Sequence, residues 1–215
     1  HIDFDGFELA QFVGVAGSRK DEAPIGSVVA SSILYFPYSG KYGLDLRFAS
    51  RPRPIAIHPH LVGCARKVER DAEWPARIKE PLRDTFPSET EYPQPFPPAA
   101  FVAPIVSSEA VSTDPDSELE ALIDRHYGDA LAIEMESYGA GYAACSEQTP
   151  FIAIRGISDM CRGKTATNDS MYQPVAAAHA AAFAFEMLDV WGQFHPRSDR
   201  YRGMPTFALL GECRI

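Results

Sequence analysis

Cysteine is scarce. Cys64, Cys145, Cys161 and Cys213 are the four in 215 residues, and no two stand at CxxC spacing. That argues against a disulfide scaffold and a cysteine zinc site, and for reduced thiols in a cytoplasmic protein. Basic charge is also in short supply: 20 Lys and Arg against 29 Asp and Glu leave a net charge of −9. Nucleic-acid polymers and anionic membranes are therefore not expected as partners, although a small anion can still be held locally. No apolar run approaches the roughly 20 residues of a membrane-spanning helix, and no secretory signal is visible. His58 and His60 lie close in sequence but have no Cys or carboxylate partner at ligand spacing. No metal and no organic cofactor is expected.

What remains is an ordinary globular composition, 46% hydrophobic and 23% charged, in a length that suits one domain with a sizeable core. Short apolar runs predict strands at Phe12–Val15, Val28–Leu34 and Phe101–Val106. Between the first two, Ala16-Gly17-Ser18 is either a plain tight turn or a place where backbone approaches a ligand. Leu61, Cys64, Ala65 and Val68 are at helical spacing, and Leu119, Leu122 and Ile123 mark a second helix over Ser117–His126. Pro81 to Pro98 holds six prolines and predicts an irregular surface excursion. Ser170-Met171-Tyr172-Gln173 matches a capping box, so an alanine-rich helix is expected from there to about Trp191.

The most informative stretch is LAIEMESYGAGYAACSEQTPFIAIRGISDMCR, Leu131 to Arg162. Ala130–Met135 and Phe151–Ile157 are apolar runs of strand length, joined by a helix rich in Gly and Ala. Each run stops at polar groups, Glu136 in one case and Ser158-Asp159 in the other. If the runs are neighbouring parallel strands with a helical crossover, both carboxylates lie at one carboxyl edge, where open α/β sheets bind ligands. Taken alone, Asp159 is either a turn or helix cap or a site acid. Arg155 is either a pocket residue or half of an internal ion pair, and Glu134 alternates to the opposite strand face from its neighbour. Met160–Asn168, with Arg162, Gly163 and Lys164, is either a flap or a plain surface loop.

IEMES followed by IAIRGISD, with FVGVAGSRKDEAPIGSVVAS upstream, resembles the nucleoside phosphorylase and nucleosidase superfamily. The methylthioadenosine/S-adenosylhomocysteine nucleosidase branch is the best match. HYGDALAIEMES and the late alanine-rich helix resemble the version of this domain that serves as an effector in bacterial signalling and defence proteins. The resemblance spans roughly Phe12 to Val190 and fades between Pro37 and Pro104. It implies a three-layer α/β/α nucleoside phosphorylase-type fold with a central mixed sheet. It also implies cleavage of a purine nucleoside or nucleotide, adenine-type, at the N-glycosidic bond. Asp159 matches the acid that protonates the base at N7, with Ser158 orienting it, and Arg155 matches an arginine on the nucleophile side. Glu136 matches the ribose ligand, Met135 would lie against the sugar, and Ala16 and Gly17 fall at the ligand-facing turn. Val111 stands where relatives often place an aromatic against the base, and Ser27 where they usually have Asp.

Family members begin with several strands before the segment matched by VGVAG, and His1–Gln11 does not replace them. Residues 1–190 are therefore expected to form the domain without its first strands, and an upstream segment or partner chain to complete the site. Residues 191–215 are an extension with no family counterpart. Hydrolysis, phosphorolysis and non-catalytic nucleoside sensing remain open at this point. A homodimer is expected, through apolar residues around the proline-rich middle, namely Phe86, Tyr92, Phe96 and Phe101.

Overall fold

A computed structural model describes residues 8–44, 48–71, 73–78, 97–110, 114, 117–161, 166–194 and 208–210, with the backbone alone at 166–170 and 208–210. Val111, Arg162, Gly163, Lys164, Phe86, Tyr92 and Phe96 lie outside the described residues. Phe101 is half-buried and packs on the core rather than standing out as a surface patch.

The chain runs β1 (Ala10–Ser18), β2 (Val28–Tyr35), a small hairpin of β3 (Gly40–Tyr42) and β4 (Phe48–Ser50), then β5 (Ile55–Ala56) and α1 (Pro59–Asp71). A 3-10 turn at Trp74–Arg77 precedes β6 (Ala100–Ser107) and α2 (Glu118–His126). β7 (Ala132–Glu134), α3 (Ser137–Ser146), β8 (Phe151–Asp159), α4 (Ala166–Phe194) and β9 (Ala208–Leu210) complete it. Seven of the strands form one mixed sheet in the order β5-β2-β6-β7-β1-β8, with β9 beside β1. A further antiparallel pairing of β2 with β8 closes five of them into a ring. Where β2 leaves β8, the Ala153 amide donates to Ser31 Oγ at 2.9 Å, so that buried group keeps a partner.

β8 is the spine, buried along all nine residues, and this is why it reads as a continuous apolar run. On one face Arg155 meets Ser137 of α3. On the other, a Cβ on Gly156 would lie 1.9 Å from the Ala176 carbonyl oxygen of α4, so only glycine admits that helix. Helices thus cover both sides of the sheet. α3 also sits close, with Gly141 against Leu34 and Phe151.

Two expectations are corrected here. The strands ending near Glu136 and Asp159 are not parallel neighbours: β1 lies between them, antiparallel to β7 and parallel to β8. Apolar runs report burial, not strand order, and the three-residue β7 reaches only the last two residues of β1. The helix expected to start at the capping box starts a turn earlier, at Ala166, with Pro174 inside it. A proline in a helix interior costs about 3 kcal/mol locally, and Pro174 itself faces solvent. Packing of Val175, Ala176 and Ala180 into the core opposes that cost. The chain beyond Val190 is partly drawn into the domain, since Trp191 is buried and β9 extends the sheet beside β1.

Candidate active site

The site begins with an irregularity in a strand. The parallel β1–β8 register slips between Ala16 and Gly17, so that Gly17 pairs with Asp159 instead of Ser158. Bulges re-aim side chains, and this one turns the end of β8 toward Gly17. A Cβ at Gly17 would fall 2.5 Å from Cys161 Sγ and 2.7 Å from Asp159 Oδ1. The glycine is therefore required for close approach of the carboxylate to the β1 backbone.

Asp159 is 6% exposed. Its Oδ1 accepts the Cys161 amide at 2.9 Å, a geometry reached with Cys161 at φ 47°, in the left-handed region. Ser158 Oγ lies 3.2 Å from Asp159 Oδ2 and 3.5 Å from the Ala16 carbonyl oxygen. A hydroxyl carries one proton and accepts through two lone pairs. It can donate to Asp159 Oδ2, or donate to the Ala16 carbonyl and accept a hydrogen bond from a protonated carboxyl. Both protonation states keep a partner.

Across the cleft, one carboxylate ends β7 and a second stands at the N-cap of α3. Glu134 is 4% exposed, and its Oε2 accepts the amides of Glu136 and Ser137, each at 3.0 Å. It thereby caps the N-terminus of α3, where unsatisfied amides favour negative charge. Glu136 occupies the N-cap position yet makes no side-chain cap bond. Its side chain is 48% exposed and lines the cleft. Arg155 is wholly buried behind them, ion-paired with Glu134, 3.5 Å from Glu136 Oε2, and stacked over Phe12 at 4.4 Å.

These elements enclose an open cleft of about 180 Å³, lined by Val15, Ala16, Gly17, Ile133, Glu134, Met135, Glu136, Ser158, Asp159 and Gln173. Six residues expected from the sequence meet there: Ala16, Gly17, Met135, Glu136, Ser158 and Asp159. Arg155 does not line it, and Val111 is outside the described residues. Glu134, expected from strand alternation to turn away from a ligand, reaches the lining of the cleft, with its carboxylate folded onto the amides of Glu136 and Ser137. Gln173 arrives from α4, more than a dozen residues past Asp159 in sequence, and no local pattern announces it. Among the described residues no three His, Cys, Asp or Glu side chains converge on a metal position. No helix of the described residues is long and apolar enough to cross a membrane.

Known proteins resemble the chain in sequence and in shape. A family model described as the phosphorylase superfamily matches residues 6–189. A 5′-methylthioadenosine/S-adenosylhomocysteine nucleosidase of Hydrogenovibrio crunogenus is 33% identical over 63 residues, which are 29% of this chain and 27% of that relative. Two solved structures share the fold. One is the corresponding nucleosidase of Neisseria meningitidis in complex with methylthio-immucillin-A, with TM-score 0.61 and 20% identity over 84% of this chain and 69% of the other. The second is the futalosine hydrolase of Helicobacter pylori, with TM-score 0.64 and 18% identity over 86% of this chain and 69% of the other. The segment shared with the curated relative thus spans about a quarter of that protein's length.

Proposed function

This chain belongs to the phosphorylase superfamily, and from that premise we propose that it cleaves the N-glycosidic bond of an adenine-type nucleoside or nucleotide by hydrolysis. The observation that carries the reading is a single cleft holding both a buried acid, Asp159, and a half-exposed carboxylate, Glu136, on opposite walls. The nucleosidase and hydrolase activities named for the relatives point the same way.

In this reading Asp159 gives its proton to N7 of the base as the bond from C1′ breaks, and the bonding electrons leave with the base. Ser158 then turns its hydroxyl from Ala16 to the new carboxylate. Glu136 accepts hydrogen bonds from ribose hydroxyls, and its negative charge supports the cationic sugar in the transition state. Met135 covers the sugar's apolar face, and the small residues Ala16 and Gly17, which line the same cleft, let the ligand approach the β1 backbone. Water then adds to the cationic C1′, the proton it loses passes to solvent, and Asp159 takes up a proton from solvent before the next turnover.

Chromatography of free base released from a panel of nucleosides and nucleotides, with and without phosphate, tests this directly. Adenine release independent of phosphate is expected. Release that requires phosphate would make the chain a phosphorylase. Binding without release would make it a nucleoside sensor.

A further inference from the structure

A nucleoside ligand must be held by Glu136, a carboxylate on a flexible stem at a helix start, yet discrimination by hydrogen bonds needs a fixed acceptor. The fold supplies the fixing from behind. Arg155 lies four residues before Asp159 on β8, on the side of the sheet covered by α3, whose N-terminus carries Glu136. The Arg155 guanidinium is wholly buried, with Nε donating to Ser137 Oγ at 3.3 Å and Nη2 to the same oxygen at 3.1 Å. Nη2 also binds Glu134 and lies 3.5 Å from Glu136 Oε2, while the Phe12 ring covers the guanidinium plane. Glu134 in turn holds the Glu136 amide. Backbone and side chain of Glu136 are thus both tied to one buried pair that no ligand needs to touch.

We propose that Arg155 is a positioning residue, which sets the Glu136 carboxylate for the ribose hydroxyls and so makes the site selective for ribosides over sugars lacking them. This rests on the nucleoside reading above. Lysine keeps the charge but cannot span Ser137, Glu134 and Glu136 in one plane as a guanidinium does. Arg155→Lys should therefore loosen Glu136 without leaving Glu134 facing no cation.

Titration calorimetry of the full 215-residue chain with adenosine and with 2′,3′-dideoxyadenosine separates the possibilities. The wild type should prefer adenosine by roughly 10- to 100-fold, the range expected for charge-assisted hydrogen bonds. Arg155→Lys should bring that preference to within about 3-fold while leaving dideoxyadenosine binding unchanged, as Glu136→Gln also should. Ser137→Ala, a milder change that removes one Arg155 acceptor, should lower the preference part of the way, and serves should the lysine variant not fold. Equal weakening of both ligands, or an unchanged preference in the variants, would overturn the positioning role and leave the nucleoside reading standing. A wild type that binds neither ligand would remove both.

Discussion

Both carboxyl oxygens of Asp159 have hydrogen-bonding neighbours on its own strand end. The Cys161 amide holds one carboxyl oxygen, and the Ser158 hydroxyl can follow the other through a change of state. Asn at 159 would keep the size and the acceptor for Cys161 but has no proton to deliver to N7. Asp159→Asn should leave nucleoside affinity within a few-fold and slow base release by roughly 10²–10⁴-fold, measured by single-turnover kinetics. A substrate whose base leaves without protonation should lose far less. Equal loss on both substrates would make Asp159 a positioning or structural residue. Asp159 and Glu136 line one cleft, as their places at the ends of two apolar runs suggested, although the strands that carry them are not neighbours. The division of labour behind them was not. Whether Arg155 faces a ligand or a buried carboxylate depends on where Glu134 folds, and that is a matter of two backbone amides in three dimensions.

At the scale of elements, the apolar runs located β1, β2, β6, β7 and β8, and the small residues of α3 marked its close contact at Gly141, while the closer one at Gly156 had no signal of its own. Strand order was hidden, since burial on both faces looks the same whichever neighbour provides it. The start of α4 was misplaced because Ser170 and Gln173 offer a local cap that the preceding residues, already helical, do not need. That helix carries a titratable group used neither in the cleft nor in any motif. His179 is wholly buried, its Nδ1 2.6 Å from the Gly26 carbonyl oxygen and its ring near Trp74. A carbonyl can only accept, so Nδ1 carries the proton. Burial pushes the His179 pKa below its ordinary value of 6.5, with the Gly26 hydrogen bond opposing. Between the lowered value and 6.5 the unfolded chain binds the extra proton, so stability rises with pH there. The contribution is complete above about pH 6.5 and is lost as pH falls through the folded value. Urea midpoints of the wild type should decline over that interval more steeply than those of His179→Gln, whose amide can donate to Gly26 without titrating. Parallel slopes would show that His179 is not the group responsible.

For the molecule as a whole, the closed ring of β2, β6, β7, β1 and β8 makes the cleft a junction and not a surface feature. Its lining comes from the end of β1, β7 with the start of α3, the end of β8, and α4. A ligand seated there touches segments from residue 15 to residue 173, which can come together only in the folded chain. Binding must therefore stabilise the whole fold by linkage, by about 2.7 kcal/mol at a free concentration 100 times the dissociation constant. For a chain of this length each kcal/mol moves the midpoint by roughly 2–4 °C, so a shift of roughly 5–11 °C is expected. Adenosine should produce it in thermal scans and uridine should not, if Asp159 meets the purine N7 as proposed, since a pyrimidine has no such atom. Asp159→Asn, which removes proton delivery but not the pocket, should keep most of the adenosine shift while losing turnover. The pairing of the two measurements is what makes the result informative. A shift with no base release in the wild type would identify a sensor built on this cleft. Equal shifts with adenosine and uridine would show that the purine is not what the cleft selects.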